Sequence, residues 1–288
     1  MKLSVFTVSV PDMTPTEFAK AASLVGIEGI EWRFKGIPED ALLEDPSFWR
    51  NNRCSIDPSK WEAELPIFTE AALSCGMQSI ALVPYLTCGD MKSAEQAMLV
   101  ASRLGASMVR VGVPTYDRKT SYNDLYDLAT RYLAQIQELA EQYKVKALVE
   151  THHKTIAPSA SLAYRLVQSL NPDRVGVLYD PGNMVFEGFE NYRLGLQLLG
   201  PYLGHVHFKN AIWCRNHQSD TATWKEQTWK AQWASIDKGI VPWIEVMRDL
   251  KAVGYDGYVG IEDFSQTYDS MDMLKNSADL FRLIQSEI

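Results

Sequence analysis

The stretch VKALVETHH, residues 145–153, places a glutamate and two histidines directly after a short apolar run. An apolar run of this length, set between longer segments of helical period, predicts a buried strand of a parallel sheet. Seven similar runs occur along the chain: LSVFTVSV from Leu3, GIEWRF from Gly29, SIALVPY from Ser79, MVRVGV from Met108, RVGVLYD from Arg174, LGHVHFK from Leu203 and YVGIED from Tyr258. Eight strands alternating with helices predict the α/β class, as a (β/α)8 TIM barrel.

Two of the intervening helices carry clear signals. The motif TPTE at residues 14–17 is a capping box with proline at the first helical position, and it predicts a helix from Thr16 to Val25 that Gly26 ends. Apolar residues at helical spacing predict a second helix from Tyr122 to Tyr143, with one face against the sheet. No linker-like run divides the chain, so residues 1–288 are interpreted as one barrel domain.

Composition excludes several classes of function. The formal charge of −8 argues against a surface that neutralises phosphates, so no nucleic-acid partner is expected. No apolar run reaches the roughly 20 residues that cross a bilayer, so no membrane association is expected. The start of the chain has no leader-like segment, and the cysteines show no paired spacing. The sequence therefore predicts a cytoplasmic protein with reduced cysteines: Cys54, Cys75, Cys88 and Cys214.

Two connections are longer than a barrel needs. Residues 37–59 follow the second predicted strand, and residues 211–241 follow the seventh. Both leave the C-terminal ends of strands, where barrel enzymes build their active sites. They are interpreted either as lids and pocket walls or as surface excursions and subunit contacts, packed by their own aromatic residues. The first carries Trp49, Arg53 and Cys54; the second carries Trp213, Trp224, Trp229 and Trp233.

Polar residues mark the C-terminal ends of the last four strands. Glu150 ends strand five, Asp180 ends strand six, His207 lies in strand seven, and Glu262 ends strand eight. Each alone is more often a helix cap or a salt-bridge partner, but a buried carboxylate must be paired or bound to a metal. Together they form an oxygen-rich set that predicts one divalent ion. Mn²⁺ is the first choice, and Mg²⁺, Co²⁺ or Zn²⁺ also suit these ligands.

Strand alternation selects the histidine, because residues two apart face the same way. His205, His207 and Lys209 share one face, and His207 lies level with the carboxylates, so His205 is expected one layer deeper. Lys209 then reaches the pocket, either to polarise a carbonyl or to form a structural salt bridge. His152 shares the face of the strand-five glutamate and is expected at the substrate, whereas His153 is expected to point away.

The sequence resembles the xylose isomerase-like barrels, often called sugar phosphate isomerases/epimerases, which include ketose 3-epimerases, inosose dehydratase and hydroxypyruvate isomerase. The resemblance covers nearly the whole chain. It rests on four motifs: LVETHH at strand five, YDPGN at strand six, GHVHFKN at strand seven and GIVPWIEVMRDLKAVGYDGYVGIED at the last βα unit.

The resemblance implies a function for these residues. Glu150, Asp180, His207 and Glu262 fall on the family's metal-ligand positions, and the two glutamates on its acid and base positions. The implied activity is a metal-dependent sugar isomerase or epimerase, which removes a proton next to a carbonyl and forms an enediolate. Loss of a β-hydroxyl instead would make a dehydratase or lyase of keto-inositols or oxidised sugars. A homo-oligomer is also implied by the resemblance.

The chain departs from the family pattern at two substrate positions. Asn183 stands where many relatives have histidine, and Arg215 lies slightly later than the arginine of the epimerases. Both are expected to contact substrate, which leaves the sugar and the reaction open. Arg110 and Trp32, at the ends of strands four and two, are further candidates for the pocket, although Trp32 fits the core equally well.

Two other functions were weighed against this one. An endonuclease IV type of hydrolase needs further histidines, and all five histidines here lie at or after His152. A barrel that binds a sugar without turnover is the second alternative, but binding alone needs no acid–base pair beside the metal. No glycine-rich phosphate loop follows a predicted strand, which favours an unphosphorylated substrate.

Overall fold

Eight parallel strands close into a barrel in the computed structural model, which describes residues 1–215 and 229–288. Strand β1 pairs with both β2 and β11, which closes the circle β1-β2-β4-β5-β6-β7-β8-β11. In chain order the strands are β1 (Lys2–Phe6), β2 (Gly29–Phe34), β3 (Ser55–Ile56), β4 (Gln78–Pro84), β5 (Met108–Val111), β6 (Lys146–Glu150), β7 (Val175–Tyr179), β8 (Leu203–Phe208), β9 (Asn210–Arg215), β10 (Trp229–Ala234) and β11 (Tyr258–Ile261). The predicted (β/α)8 fold is confirmed, and each predicted run overlaps one barrel strand.

Helices surround the barrel and cover its outer face. In chain order they are α1 (Pro15–Leu24), α2 (Trp61–Ser74), α3 (Met91–Leu104), α4 (Tyr122–Tyr143), α5 (Ala160–Val167), α6 (Pro181–Phe186), α7 (Tyr192–Leu199), α8 (Trp243–Ala252) and α9 (Ser270–Glu287). The capping box before α1 is present, since the Thr14 side chain accepts from the Glu17 amide and the Glu17 carboxylate accepts from the Thr14 amide. No helix within the described ranges is both long and apolar enough to cross a bilayer.

The first strand is shorter than predicted. It ends at Phe6, and residues 7–9 form a single 3₁₀ turn. Side chains of this turn accept hydrogen bonds from backbone amides of the neighbouring segments: Thr7 Oγ1 accepts from the Arg33 amide, and Ser9 Oγ accepts from the Asp263 amide. The turn therefore closes the barrel at its C-terminal rim, where the site lies.

Candidate metal centre and active site

Four neighbouring strands bring their polar ends together at this rim. Glu150 closes β6, Asp180 follows β7, His207 lies in β8, and Glu262 follows β11. All four residues are buried, and Glu150 is the most exposed of them, at 5%. His207 Nδ1 lies 3.5 Å from Glu150 Oε1, 3.5 Å from Asp180 Oδ2 and 3.4 Å from Glu262 Oε2. One nitrogen thus faces three carboxylate oxygens at nearly equal distances.

These donors fit a divalent metal ion. His207 Nδ1 is buried and has no hydrogen-bond partner among the described residues. Ligand atoms that each lie about 2.1 Å from one tetrahedral ion are roughly 3.4 Å apart, close to the separations here. The four residues could together hold a metal ion, since their ligand atoms all lie within 4.8 Å of one another. An ion between them would satisfy the imidazole nitrogen and offset the three negative charges.

Asn183 holds two of these carboxylates in place. Its Nδ2 donates to Glu150 Oε1 at 3.1 Å and to Asp180 Oδ2 at 2.8 Å. Its Oδ1 accepts from Lys209 Nζ at 3.1 Å, and its side chain is fully buried. We expected Asn183 to contact substrate, but it lies beneath the carboxylates instead. Its position in the first turn of α6, capped by Asp180, places it there.

Two cations balance the carboxylates. Arg110 Nη1 pairs with Glu150 Oε2 at 2.8 Å, and Lys209 Nζ pairs with Glu262 Oε2. Burial raises the pKa of Glu150, but the Arg110 guanidinium and His207 lower it more, so this pKa lies well below its usual range. The pKa of Glu262 is likewise lowered, because Lys209 and His207 outweigh its burial. Both glutamates are therefore ionised at neutral pH.

Glu31 forms a second layer beneath the four residues and was missed by the sequence analysis. Its side chain is fully buried inside the barrel, and Oε2 lies 3.1 Å from His207 Nε2. Oε1 accepts from Ser4 Oγ at 2.9 Å and lies 2.9 Å from His205 Nε2. His205 is thus one layer deeper than His207, as alternation predicted. The acidic residue within the apolar run GIEWRF was the available signal for Glu31.

Gly260 makes room for this second layer. A Cβ atom at this position would overlap Glu31 Oε1 and lie 3.0 Å from His205 Nε2. Both neighbours are fully buried, so neither side chain can move into solvent.

Gly260→Ala is therefore expected to lower the free energy of unfolding by about 1–3 kcal/mol, the usual cost of overpacking a core. Urea unfolding followed by circular dichroism measures this change. Gly76→Ala is a control without the overlap, because nothing lies within 4 Å of a Cβ there, although its φ of +66° adds backbone strain. A Gly260→Ala protein as stable as the wild type would contradict the crowding.

A cavity of about 500 Å³ opens above the four residues. Glu150 and Glu262 lie at its base, and aromatic rings form much of its wall: Trp49, Tyr85, Trp233 and Phe264. Trp49 comes from the first long connection and Trp233 from the hairpin β9–β10, and both lie close to Phe264, with ring centroids 4.9 and 5.7 Å away. Both long connections thus contribute to the pocket wall. Trp224 lies outside the described residues.

The two histidines after β6 differ from expectation in one respect. Both line the cavity, although His153 was expected to point away. His153 stacks on Phe186, with ring centroids 4.6 Å apart, and its Nδ1 lies 3.2 Å from Asn183 Oδ1. Burial, aided by the charges of His152 and Lys209, lowers the pKa of His153 to about 4, so the ring is neutral at pH 7. The alternation rule fails here because the strand ends at Glu150.

Two further candidates lie outside the cavity. Trp32 is fully buried on the outer face of β2, where its ring packs against Phe18 of α1 and Phe68 of α2. It was a candidate for the pocket and equally for the core, and the structure places it in the core, because its neighbours Glu31 and Arg33 occupy the opposite face of the strand. Arg215 is exposed at the end of β9, 5.9 Å from the centre of the Trp229 ring, and is not brought to the carboxylates.

Comparison with known proteins gives one family match. The sequence model of the xylose isomerase-like TIM barrel family matches residues 90–284. Among curated proteins, the inosose dehydratase of Geobacillus thermodenitrificans (strain NG80-2) is 26% identical over 172 residues, 57% of this chain. The chain spans 56% of the length of that relative.

Solved structures show the same fold. The 3-keto-D-glucoside 4-epimerase YcjR from E. coli has a TM-score of 0.69 at 16% identity, covering 98% of this chain and 99% of that one. The IOLI protein, solved with a bound zinc atom, has a TM-score of 0.70 at 17% identity, covering 100% and 97%. At these identities the likeness shows the architecture alone.

Proposed function

The chain belongs to the xylose isomerase-like TIM barrel family, and we propose that it is a divalent-metal-dependent isomerase or epimerase of a keto sugar or related polyol. One observation carries the proposal: two ionised glutamates line the cavity and belong to the four-residue cluster that could hold a metal ion. The cavity volume of about 500 Å³ suits a small-molecule ligand.

Glu150, Asp180, His207 and Glu262 would hold the ion. Its bound charge would polarise the substrate carbonyl and stabilise the negative charge that develops when a neighbouring proton leaves. The set has three carboxylates and one imidazole, so we propose Mn²⁺ first, with Mg²⁺, Co²⁺ or Zn²⁺ as alternatives.

The two glutamates are the proposed acid and base. Both are ionised before substrate binds, so either can accept the proton next to the carbonyl. Arg110 and Lys209 fix the two carboxylates, which limits their motion during proton transfer. We propose that one glutamate removes the proton from one face of the substrate. The other glutamate takes up a proton from solvent through the cavity and delivers it to the opposite face, which inverts that carbon, and the first glutamate then releases its proton to solvent.

Aromatic rings form the wall beside the proton-transfer site. Rings of Trp49, Trp233 and Phe264 surround the region above Lys209, whose Nζ lies 4.2 Å from the Trp233 ring centroid. In such an environment the charges of Lys209 and Arg110 act more strongly on the substrate than they would in water. His152 and the neutral His153 line the same wall and can bond to substrate hydroxyl groups.

A dehydratase is the second candidate, favoured by the similarity to inosose dehydratase. The first step, removal of a proton next to a carbonyl, is common to both reactions. A β-hydroxyl would then leave as water, with a proton supplied by an acid in the cavity. Deuterium incorporation without net loss of water favours the isomerase or epimerase, and an unsaturated product that absorbs ultraviolet light favours the dehydratase. A barrel that binds sugar without turnover would give neither signal.

Removal of the metal tests the proposal directly. Chelator-treated protein is expected to lose deuterium exchange from D₂O into ketoses and keto-inositols by at least about 100-fold, because the carbonyl loses its electrostatic stabilisation. Added Mn²⁺ is expected to restore the rate. Nuclear magnetic resonance of the substrate panel measures the exchange. Equal exchange rates before and after chelation would rule out the metal-dependent mechanism.

A further inference from the structure

Three cations surround one ring in the cavity wall. The Tyr85 ring centroid lies 5.4 Å from Arg33 Cζ, 4.9 Å from Lys35 Nζ and 5.2 Å from Arg110 Cζ. Arg110 is neutralised by Glu150 at 2.8 Å. The other two cations lie two residues apart at the end of β2, and neither has a carboxylate partner among the described residues.

Arg33 is fully buried, and no carboxylate of the described residues is among its partners. Its Nη1 donates to Ser55 Oγ at 2.7 Å and to the Lys35 carbonyl at 3.3 Å. Its Nη2 donates to the Trp49 carbonyl at 3.3 Å, and its Nε has no partner among the described residues. These groups are neutral, so they satisfy donors but do not cancel the charge. A buried charge without a counter-ion is costly unless something else offsets it.

Lys35 lines the cavity and also has no ion pair within the described part of the chain. Asp57, whose carboxylate lies against Gly36, already bonds to Ser59 and pairs with Lys60 at 3.5 Å. Lys35 is therefore a cation at the cavity surface with no counter-ion from residues 1–215 or 229–288.

The surrounding groups do not neutralise this pair. Burial lowers the pKa of Lys35, and the charge of Arg33 lowers it further. Burial raises the pKa of Tyr85 more than Arg110 and Arg33 lower it, so the phenol stays protonated and supplies no negative charge. An anion placed at Lys35 would relieve the repulsion between the two cations.

We propose that Lys35, with the charge of Arg33 beside it, binds an anionic group of the substrate, either a carboxylate or a phosphate. The inference rests on the proposed function, since it places the reacting carbonyl at the metal-binding residues and the anion at the β2 side of the same cavity. The substrate class is then a sugar acid or a sugar phosphate rather than a neutral sugar. Lys35 makes the contact, and the buried Arg33 strengthens the field without reaching the cavity surface.

Binding of unreactive polyols tests the inference without turnover. Sorbitol, D-gluconate and sorbitol 6-phosphate have similar carbon skeletons and no ketone or aldehyde group, and they differ in the anionic group. Isothermal titration calorimetry on the Mn²⁺-loaded protein measures each affinity. At least one anion is expected to bind about 10-fold or more tightly than sorbitol, in line with a charge-assisted hydrogen bond. Tighter binding of D-gluconate would identify a carboxylate as the bound group, and tighter binding of sorbitol 6-phosphate would identify a phosphate.

Lys35→Met is expected to remove the tighter binding of the anionic polyol relative to sorbitol, and Lys35→Arg is expected to keep most of it. The affinity for sorbitol is expected to change less than about 3-fold in Lys35→Met, because a neutral ligand gains little from this charge. Lys20→Met, on the exposed face of α1, is a matched control that removes a distant cation.

An anion advantage that is absent in the wild type, or unchanged in Lys35→Met, would overturn the inference. Loss of the anion preference is distinct from failure of the proposed function. The proposed function fails if no carbonyl substrate exchanges deuterium. Exchange into neutral ketoses as fast as into sugar acids and sugar phosphates would leave the metal mechanism standing and remove the anion site.

Discussion

Glu262→Gln is expected to slow deuterium exchange into the substrate by about 10³-fold, within the usual range for loss of a catalytic acid or base. The amide cannot accept the proton that the carboxylate accepts, although its shape is nearly unchanged. The side chain is 2% exposed and lies beside Lys209, so a neutral group of the same size keeps the packing. The far-ultraviolet circular dichroism spectrum is therefore expected to match that of the wild type.

Metal content separates the two roles proposed for Glu262. Mass spectrometry of the Glu262→Gln protein in saturating Mn²⁺ shows whether the ion is still bound when exchange is lost. Glu138→Gln, on the exposed face of α4, is the matched control, with an expected change below 2-fold. Exchange at the wild-type rate in Glu262→Gln would exclude this residue from proton transfer.

Asp180→Ala is expected to weaken metal binding by at least about 100-fold, because loss of a direct ligand costs more than the 10- to 100-fold of a supporting residue. The carboxylate offers one of the three oxygens that face His207 Nδ1, at 3.5 Å. It also accepts from the Asn183 side chain at 2.8 Å, so Asn183 loses one of its anchors. Metal content after dialysis, by mass spectrometry, measures the loss.

Asp180 also caps helix α6, and two variants separate capping from metal binding. Asp180→Asn keeps a good capping residue but removes the charge, so it is expected to retain stability and still lose metal. Asp269→Ala removes the cap of α9 outside the cluster and is expected to cost about 1 kcal/mol of unfolding free energy without loss of metal. Wild-type metal content in both Asp180 variants would refute the proposed ligand set.

The fold was predictable because its signals are local. Each barrel strand is a short apolar run, and α4 repeats apolar residues at helical spacing. The capping box opens α1 within one residue of its predicted start. Parallel strands all end at the same rim, so Glu150, Asp180, His207 and Glu262 could be grouped from their positions at strand ends. Alternation within β8 then separated His207 from His205 correctly.

The errors arose where those local rules stop. Alternation holds only inside a strand, so it misplaced His153, which follows the end of β6. Parallel strands are apolar on both faces, so the pattern of β2 did not say which face is inside. Trp32 was therefore left open between pocket and core, and Glu31, the inward residue, was not considered. Asn183 was placed at the substrate because the residue at that position usually contacts substrate in the family that the sequence resembles. The chain alone does not show that this side chain lies below the carboxylates.

The sequence alone determined the barrel, its strand order and the four residues that converge at one rim, because strand periodicity and the common direction of parallel strands impose them. Only the tertiary structure decided how the charges pair. It paired Arg110 with Glu150 and Lys209 with Glu262. Arg33 and Lys35 lie beside Tyr85 without a carboxylate partner from residues 1–215 or 229–288. Ion pairing depends on distances between strands that are far apart in the chain, and no local pattern carries those distances.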